Sequence, residues 1–189
     1  MVELSLRCFV AFDLSSPSIA EKIALIQREL ESQGIDGKPV DPEIIHLTLQ
    51  FLGEISPEYV KTVSEQLSSI VFRPFTARLK GVGYFPGGGR INVVWVGVEE
   101  PEGILSQVQR EVSTRLSKLG LRPDKEFKPH VTIYRVKSVK NKPSVLSLLE
   151  KLKGQEFGEV FIDKLKLKKS TLTPQGPIYE DLLVVEARR

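Results

Sequence analysis

His46–Ile55 reads HLTLQFLGEI, and His130–Ser138, beginning 84 residues further on, reads HVTIYRVKS. These stretches hold both histidines of the 189-residue chain, and each histidine heads the same pattern of His, apolar, Thr, apolar. Side chains two apart on a strand share a face, so His46 and Thr48 point one way while Leu47 and Leu49 point the other. The same holds for His130 and Thr132 against Val131 and Ile133. Each strand presents an imidazole and a hydroxyl on one side and closes a core with the other.

Working outward, the elements on either side repeat in order. LRCFVAFDL reads as a buried strand, and SSPSIAEKIALIQRELESQG as a helix capped by Ser16, with Pro17 at its first position and Gly34 ending it. A polar loop leads into the strand IIHLTLQFL. Ser56 and Pro57 open a second helix, with Val60, Val63, Leu67 and Ile70 as its apolar stripe, and a long strand runs from about Phe75 to Phe85. After the PGGGR turn the order begins again. It gives the strand INVVWVGV, a helix over 101–119, a polar loop, the strand PHVTIYRV and a short helix from Pro143. The long strand VFIDKLKLKKSTL and the final strand IYEDLLVVEA complete it. Leu79-Lys80 recurs at Leu165-Lys166 and Pro86 at Pro174. The hairpin-like connections at PGGGR and TPQGP favour antiparallel pairing. The expected fold is α+β and duplicated: one domain, 1–189, of two pseudo-symmetric lobes. Each lobe has an antiparallel-rich sheet with helices on its outer face and supplies one HxTx strand to a cleft between them.

Composition narrows the function classes. No apolar run reaches the ~18 residues of a membrane helix, and the N-terminus, with an acid at Glu3, lacks the pattern of a secretory signal. A cytoplasmic protein is expected. Cys8 is the one cysteine, set in an apolar run, which suits packing better than reactivity. The net charge of +3 is uneven: Gly120–Ser170 holds 13 Lys or Arg against 6 Asp or Glu. That asymmetry suits a polyanionic ligand. The alternation of Lys164, Lys166 and Lys168 with Leu165 and Leu167 also fits a lysine-guarded sheet edge.

A lone histidine on a half-apolar strand is usually structural. Here the whole histidine inventory occupies equivalent points of a repeat, which points to joint use as base and acid, imidazole titrating near 6.5. Threonine hydroxyls can donate to phosphoryl oxygens and hold a phosphate between the rings. A catalytic zinc wants about three protein ligands, and no HExxH or third motif ligand accompanies the histidines. There is no GxSxG, and FPGGGR lacks the Lys-Ser/Thr of a phosphate loop, leaving a hairpin turn from which Arg90 could reach a ligand.

On RCFVAFDL, HLTLQFLGEI, GVGYFP and KPHVTIYRVKS the chain resembles, over its whole length, the RNA 2′,3′-cyclic phosphodiesterases (2′-5′ RNA ligases) of the two-histidine phosphoesterase superfamily. The resemblance implies a cofactor- and metal-independent opening of a 2′,3′-cyclic phosphate at an RNA end, leaving a 2′-phosphate, and its reversal as 2′-5′ ligation. It casts His130 as the base toward water and His46 as the acid toward the departing 3′ oxygen, with Thr48 and Thr132 on the nonbridging oxygens. It also suggests Arg135 near the phosphate or base and Phe51 as a stacking surface. Both lie an odd number of residues from their histidine, so they reach the site only if a bulge or strand end redirects them. Tyr134 has the parity of His130 and is a further candidate. The expected partner is RNA or an oligonucleotide with a cyclic-phosphate end, bound by a monomer away from membranes. A noncatalytic RNA-end binding module, motivated by the charge asymmetry, and a metallohydrolase are the competing classes.

Overall fold

The computed structural model describes residues 4–189; Glu3, used above in reading the N-terminus, lies outside them. The described chain runs β1 (Leu6–Asp13), α1 (Pro17–Ser32), β2 (Ile35–Pro39), a 3₁₀ turn (Pro42–Ile44), β3 (His46–Ile55), α2 (Pro57–Ser68) and β4 (Phe75–Gly87). It continues β5 (Arg90–Glu99), α3 (Ile104–Ser117), β6 (His130–Val139), α4 (Lys142–Lys151), β7 (Glu156–Ile162), β8 (Lys164–Thr173) and β9 (Gly176–Glu186). The hydroxyls of Ser16 and Ser56 accept from the backbone N–H of Ile19 and Tyr59, each followed by proline at the first helical position. These caps satisfy donors that the first turn leaves without partners.

Two antiparallel sheets form, ordered β3-β1-β8-β9 and β2-β6-β5-β4-β7. Both contain the same three-strand kernel, an HxTx strand, then the first strand of its repeat, then a long strand: β3-β1-β8 in one and β6-β5-β4 in the other. The long strands are exchanged, because β4 follows the first repeat but lies in the second sheet, and β8 does the reverse. Helices are exchanged too. α1, which follows β1, packs on β2, β6 and β7, whereas α3, which follows β5, packs on β3 and α2. The core lies under the apolar faces, where Val10, Phe12, Leu47 and Leu49 of the first sheet and Val94, Val96, Val131 and Ile133 of the second are buried.

Two expectations about elements are corrected. The polar loop after α1 contains β2, whose sequence IDGKP holds poor strand formers; tertiary pairing with β6 overrides propensity there. Gly37 makes that pairing possible, since a Cβ at this position would lie 2.2 Å from the Arg135 carbonyl oxygen. The supposed single strand VFIDKLKLKKSTL is two, broken at Asp163. β7 ends in the second sheet and β8 starts in the first. Consequently β8 lies between β1 and β9, and its lysines guard no edge.

Candidate active site

The two HxTx strands carry the same irregularity. Ala11 pairs Thr48 and Val10 pairs Gln50, so Leu49 has no partner; Trp95 pairs Thr132 and Val94 pairs Tyr134, so Ile133 has none. Each strand therefore bulges at the third residue past its histidine. A bulge inverts the facing of everything beyond it. Leu49 with Gln50, and Ile133 with Tyr134, turn inward, while Phe51 and Arg135 emerge exposed on the side of the threonines. The condition for Phe51 and Arg135 to face the cleft is met. The parity expected of Tyr134 is overturned: this residue is 1% exposed, and its hydroxyl donates to Glu31 Oε1 at 3.0 Å. Burial and the Glu31 carboxylate push its phenol up to about 12.

β3 and β6 approach each other between the sheets, with Cα atoms within 8 Å. Each imidazole is fixed by the carbonyl two residues upstream: His46 Nδ1–H donates to Ile44 O at 3.2 Å and His130 Nδ1–H to Lys128 O at 2.5 Å. A carbonyl only accepts, so the proton of the neutral ring sits on Nδ1 and Nε2 is left with its lone pair free to accept a proton. Burial drives His46 down to about 4; the Ile44 carbonyl opposes this, and Lys168 and Arg135 add to it more than Asp13 offsets. His130 is lowered as well, again by burial against the carbonyl of Lys128. Arg135, from the second sheet, thus acts on His46 of the first, and it also lies near Tyr179.

Aromatic rings that the sequence reading left without a role flank both histidines. Phe9 lies 4.8 Å from His46, and Tyr179 meets the same ring edge-on at 5.0 Å. Phe85 meets His130 edge-on at 5.1 Å, with Trp95 6.3 Å away. Trp95 lies across Gly83, where a Cβ would come within 2.2 Å of the indole. Phe9 and Phe85 stand inside RCFVAFDL and GVGYFP, and their place in those two stretches was the available signal. Tyr179 had none, since β9 reaches the site only through its pairing with β8. Phe9 also lies 6.0 Å from Phe51, so one apolar wall runs from His46 to the exposed ring.

Beside His46, Lys166 Nζ donates to Asp13 Oδ2 and Asp181 Oδ2, both at 2.7 Å, and Lys168 Nζ reaches Asp13 Oδ1 at 2.7 Å and Asp181 Oδ1 at 3.1 Å. Burial would raise both carboxyls, but the lysine hydrogen bonds outweigh it and hold them below the usual carboxylate range. These two lysines are internally neutralised, so the basic excess of Gly120–Ser170 overstates the charge free to meet a ligand. Arg90, proposed within reach of a ligand, sits exposed at the start of β5 beside Gly87. Among the described residues no three His, Cys, Asp or Glu side chains gather as metal ligands. Cys8 is buried, which pushes its thiol up to about 11.

The family model described as LigT like Phosphoesterase matches twice in succession, over residues 14–95 and 96–179. An Archaeoglobus fulgidus protein named RNA 2′,3′-cyclic phosphodiesterase is 45% identical over 182 residues, covering 96% of this chain and 100% of the relative. An Aquifex aeolicus protein of the same name is 41% identical over 177 residues, covering 92% and 93%. A crystal structure of a Thermus thermophilus protein superposes with a TM-score of 0.75 at 30% identity, covering 96% and 97%. Escherichia coli LigT complexed with 3′-AMP gives 0.78 at 25% identity, covering 98% and 100%. The repeated bulged HxTx strands, the exchanged kernels and the twofold match over residues 14–179 place this chain in the LigT-like phosphoesterase family.

Proposed function

We propose that this chain hydrolyses RNA 2′,3′-cyclic phosphate ends to 2′-phosphomonoesters without a metal, as a monomer in the cytoplasm and as a single domain of two pseudo-symmetric lobes. The observation that carries the reading is the repeated bulge, which brings the residue five past each histidine onto the face that already carries the imidazole and the hydroxyl of both strands. The names of the relatives support the substrate class.

Thr48 and Thr132 donate to the nonbridging oxygens. His130 Nε2 takes a proton from water as its oxygen attacks phosphorus, the P–O3′ bond breaks, and protonated His46 gives its Nε2 proton to the 3′ oxygen. Both rings are neutral in the free site. A bound phosphate anion raises the pKa of the imidazoles beside it, which lets one of them carry the proton an acid needs. Arg135 neutralises that anion from the second sheet, and Phe51 stacks on the terminal base. With a 5′-hydroxyl attacking in place of water, the same site forms a 2′-5′ linkage.

The test is incubation of an oligonucleotide bearing a 2′,3′-cyclic phosphate with the protein in EDTA. Release of a 2′-phosphate is expected, and His46→Ala and His130→Ala each lower turnover by about 10² to 10⁴, with the double change costing less than their product. A 3′-phosphate product, loss of activity in EDTA, or binding without turnover overturns the reading, the last in favour of an RNA-end binding module.

A further inference from the structure

Resting on that reading, we infer that Lys166 and Lys168 are positioning residues: they occupy both oxygens of Asp13, the carboxylate opposite His46, and so keep an aspartate–histidine couple from forming at the ring that protonates the 3′ oxygen. Asp13 and His46 are Cα partners across β1 and β3. Side chains of such partners leave the sheet on one face, with Cβ atoms about 4.5–5.5 Å apart. A carboxylate at that range ordinarily captures an imidazole. Here the Nδ1–H of His46 goes to Ile44 O instead, while Asp13 Oδ1 accepts from Lys168 and Oδ2 from Lys166, both at 2.7 Å. Asp181 of β9 holds the same two ammonium groups from the other side, at 2.7 and 3.1 Å, which fixes them in place.

The second sheet supplies a comparison within the molecule. Ala11 pairs Thr48 and Trp95 pairs Thr132, and counted from these two residues the lobes align. Gly97 stands opposite His130 where Asp13 stands opposite His46. Gly83 pairs Trp95 where Lys166 pairs Ala11, and Phe85 pairs Val93 where Lys168 pairs Phe9. The same strand geometry thus forms with Gly, Gly and Phe in place of the three charged residues, so the backbone does not demand them. Nor does stability, because Lys168 is 6% exposed and the cost of desolvating an ammonium offsets most of what its pairing gains.

A free carboxylate within about 4–6 Å raises an imidazole by roughly 1–3 pH units and would charge His46 before any substrate arrived. The charged and titratable groups around the ring are Asp13 from β1, Lys166 and Lys168 from β8, Asp181 and Tyr179 from β9, and Arg135 from β6. Burial, with Lys168 and Arg135 outweighing the engaged Asp13, leaves the ring neutral. Its proton is then taken up beside the phosphate of the substrate. With no carboxylate to retain it, that proton passes to the 3′ oxygen.

The experiment follows both imidazoles by NMR against pH in the full chain, with kcat/KM on adenosine 2′,3′-cyclic phosphate measured over the same range. In Lys168→Met the His46 midpoint should rise by about one pH unit or more, His130 should move less, and the kcat/KM optimum should shift upward with His46. Adding Asp13→Asn should cancel roughly half or more of the rise, since the freed carboxylate causes it. Lys168→Arg, which keeps the charge, should hold the original midpoint. If Lys168→Met does not fold, Lys166→Met frees the other oxygen at a more exposed position and is read in the same way. A His46 midpoint that stays put, or that rises equally with and without Asp13→Asn, overturns the inference while leaving the enzyme reading intact. An unmodified protein that opens no cyclic phosphate strikes the enzyme reading, and the part of the lysines in it falls too.

Discussion

His46 and His130 share a motif, a strand position and a hydrogen bond to the carbonyl two residues back, yet their surroundings differ. His46 is held at about 4 by burial, with Lys168 and Arg135 nearby, while His130 is lowered by burial alone. The proposed acid–base mechanism needs one ring charged and one neutral. Both lie below 6.5 in the free site, so kcat/KM should peak on the acid side of that value, and kcat, reporting the complex with its phosphate anion, should be displaced to higher pH. A kcat/KM optimum above about pH 8 would count against the site as drawn. The same shift affects folding. An unfolded chain takes up the His46 proton near 6.5, whereas the folded one resists until about 4, so the stability from the neutral ring is complete above 6.5 and is lost as pH falls toward 4. Thermal melts over that window should show a falling Tm, and His46→Asn should remove part of the fall. Loss of the Asp13 and Asp181 pairs belongs to a lower window, beneath the ordinary carboxylate value of 3.8.

At the level of the strand, the bulges at Leu49 and Ile133 decide which side chains belong to the site. Strict alternation assigns Tyr134 to the cleft and Phe51 and Arg135 to the core side; the extra residue reverses all three. Tyr134→Phe should therefore leave kcat and KM within twofold while costing about 1 kcal/mol of stability through the lost hydrogen bond to Glu31. Arg135→Ala should do the opposite, weakening substrate binding with little effect on the melt. Gln27 ties the Ile133 bulge to the chain beside it, and its amide is buried. Gln27→Ala should cost about 1–3 kcal/mol in urea unfolding and also slow turnover, because both the bulge and β2 lose their tether. The bulges were not legible from the motif, since HLTLQF and HVTIYR suit a regular strand equally well. Only the register against β1 and β5 reveals the unpaired residue.

Across the whole molecule, the exchange of β4 and β8 between sheets makes each repeat incomplete alone. Residues 1–88 lack a sheet for β4 to join, and residues 89–189 would carry β8 and β9 with no β1 beside them. Each half expressed separately should lack a cooperative thermal transition, and co-expression should restore both the transition and turnover. Independent melting of either half would show that the exchange is dispensable. The sequence alone determined the histidine-threonine faces, the capped helices, the duplicated order and the antiparallel hairpins, because these depend on short-range periodicity, cap chemistry and repeat spacing. Tertiary structure decided the rest: the strand at IDGKP, the break at Asp163, the ion cluster around Lys168, the approach of Tyr179 to His46 and the facing of Arg135. Each of these depends on which backbone lies alongside which, and residues as distant in sequence as His46 and Tyr179 meet only after the sheets have formed.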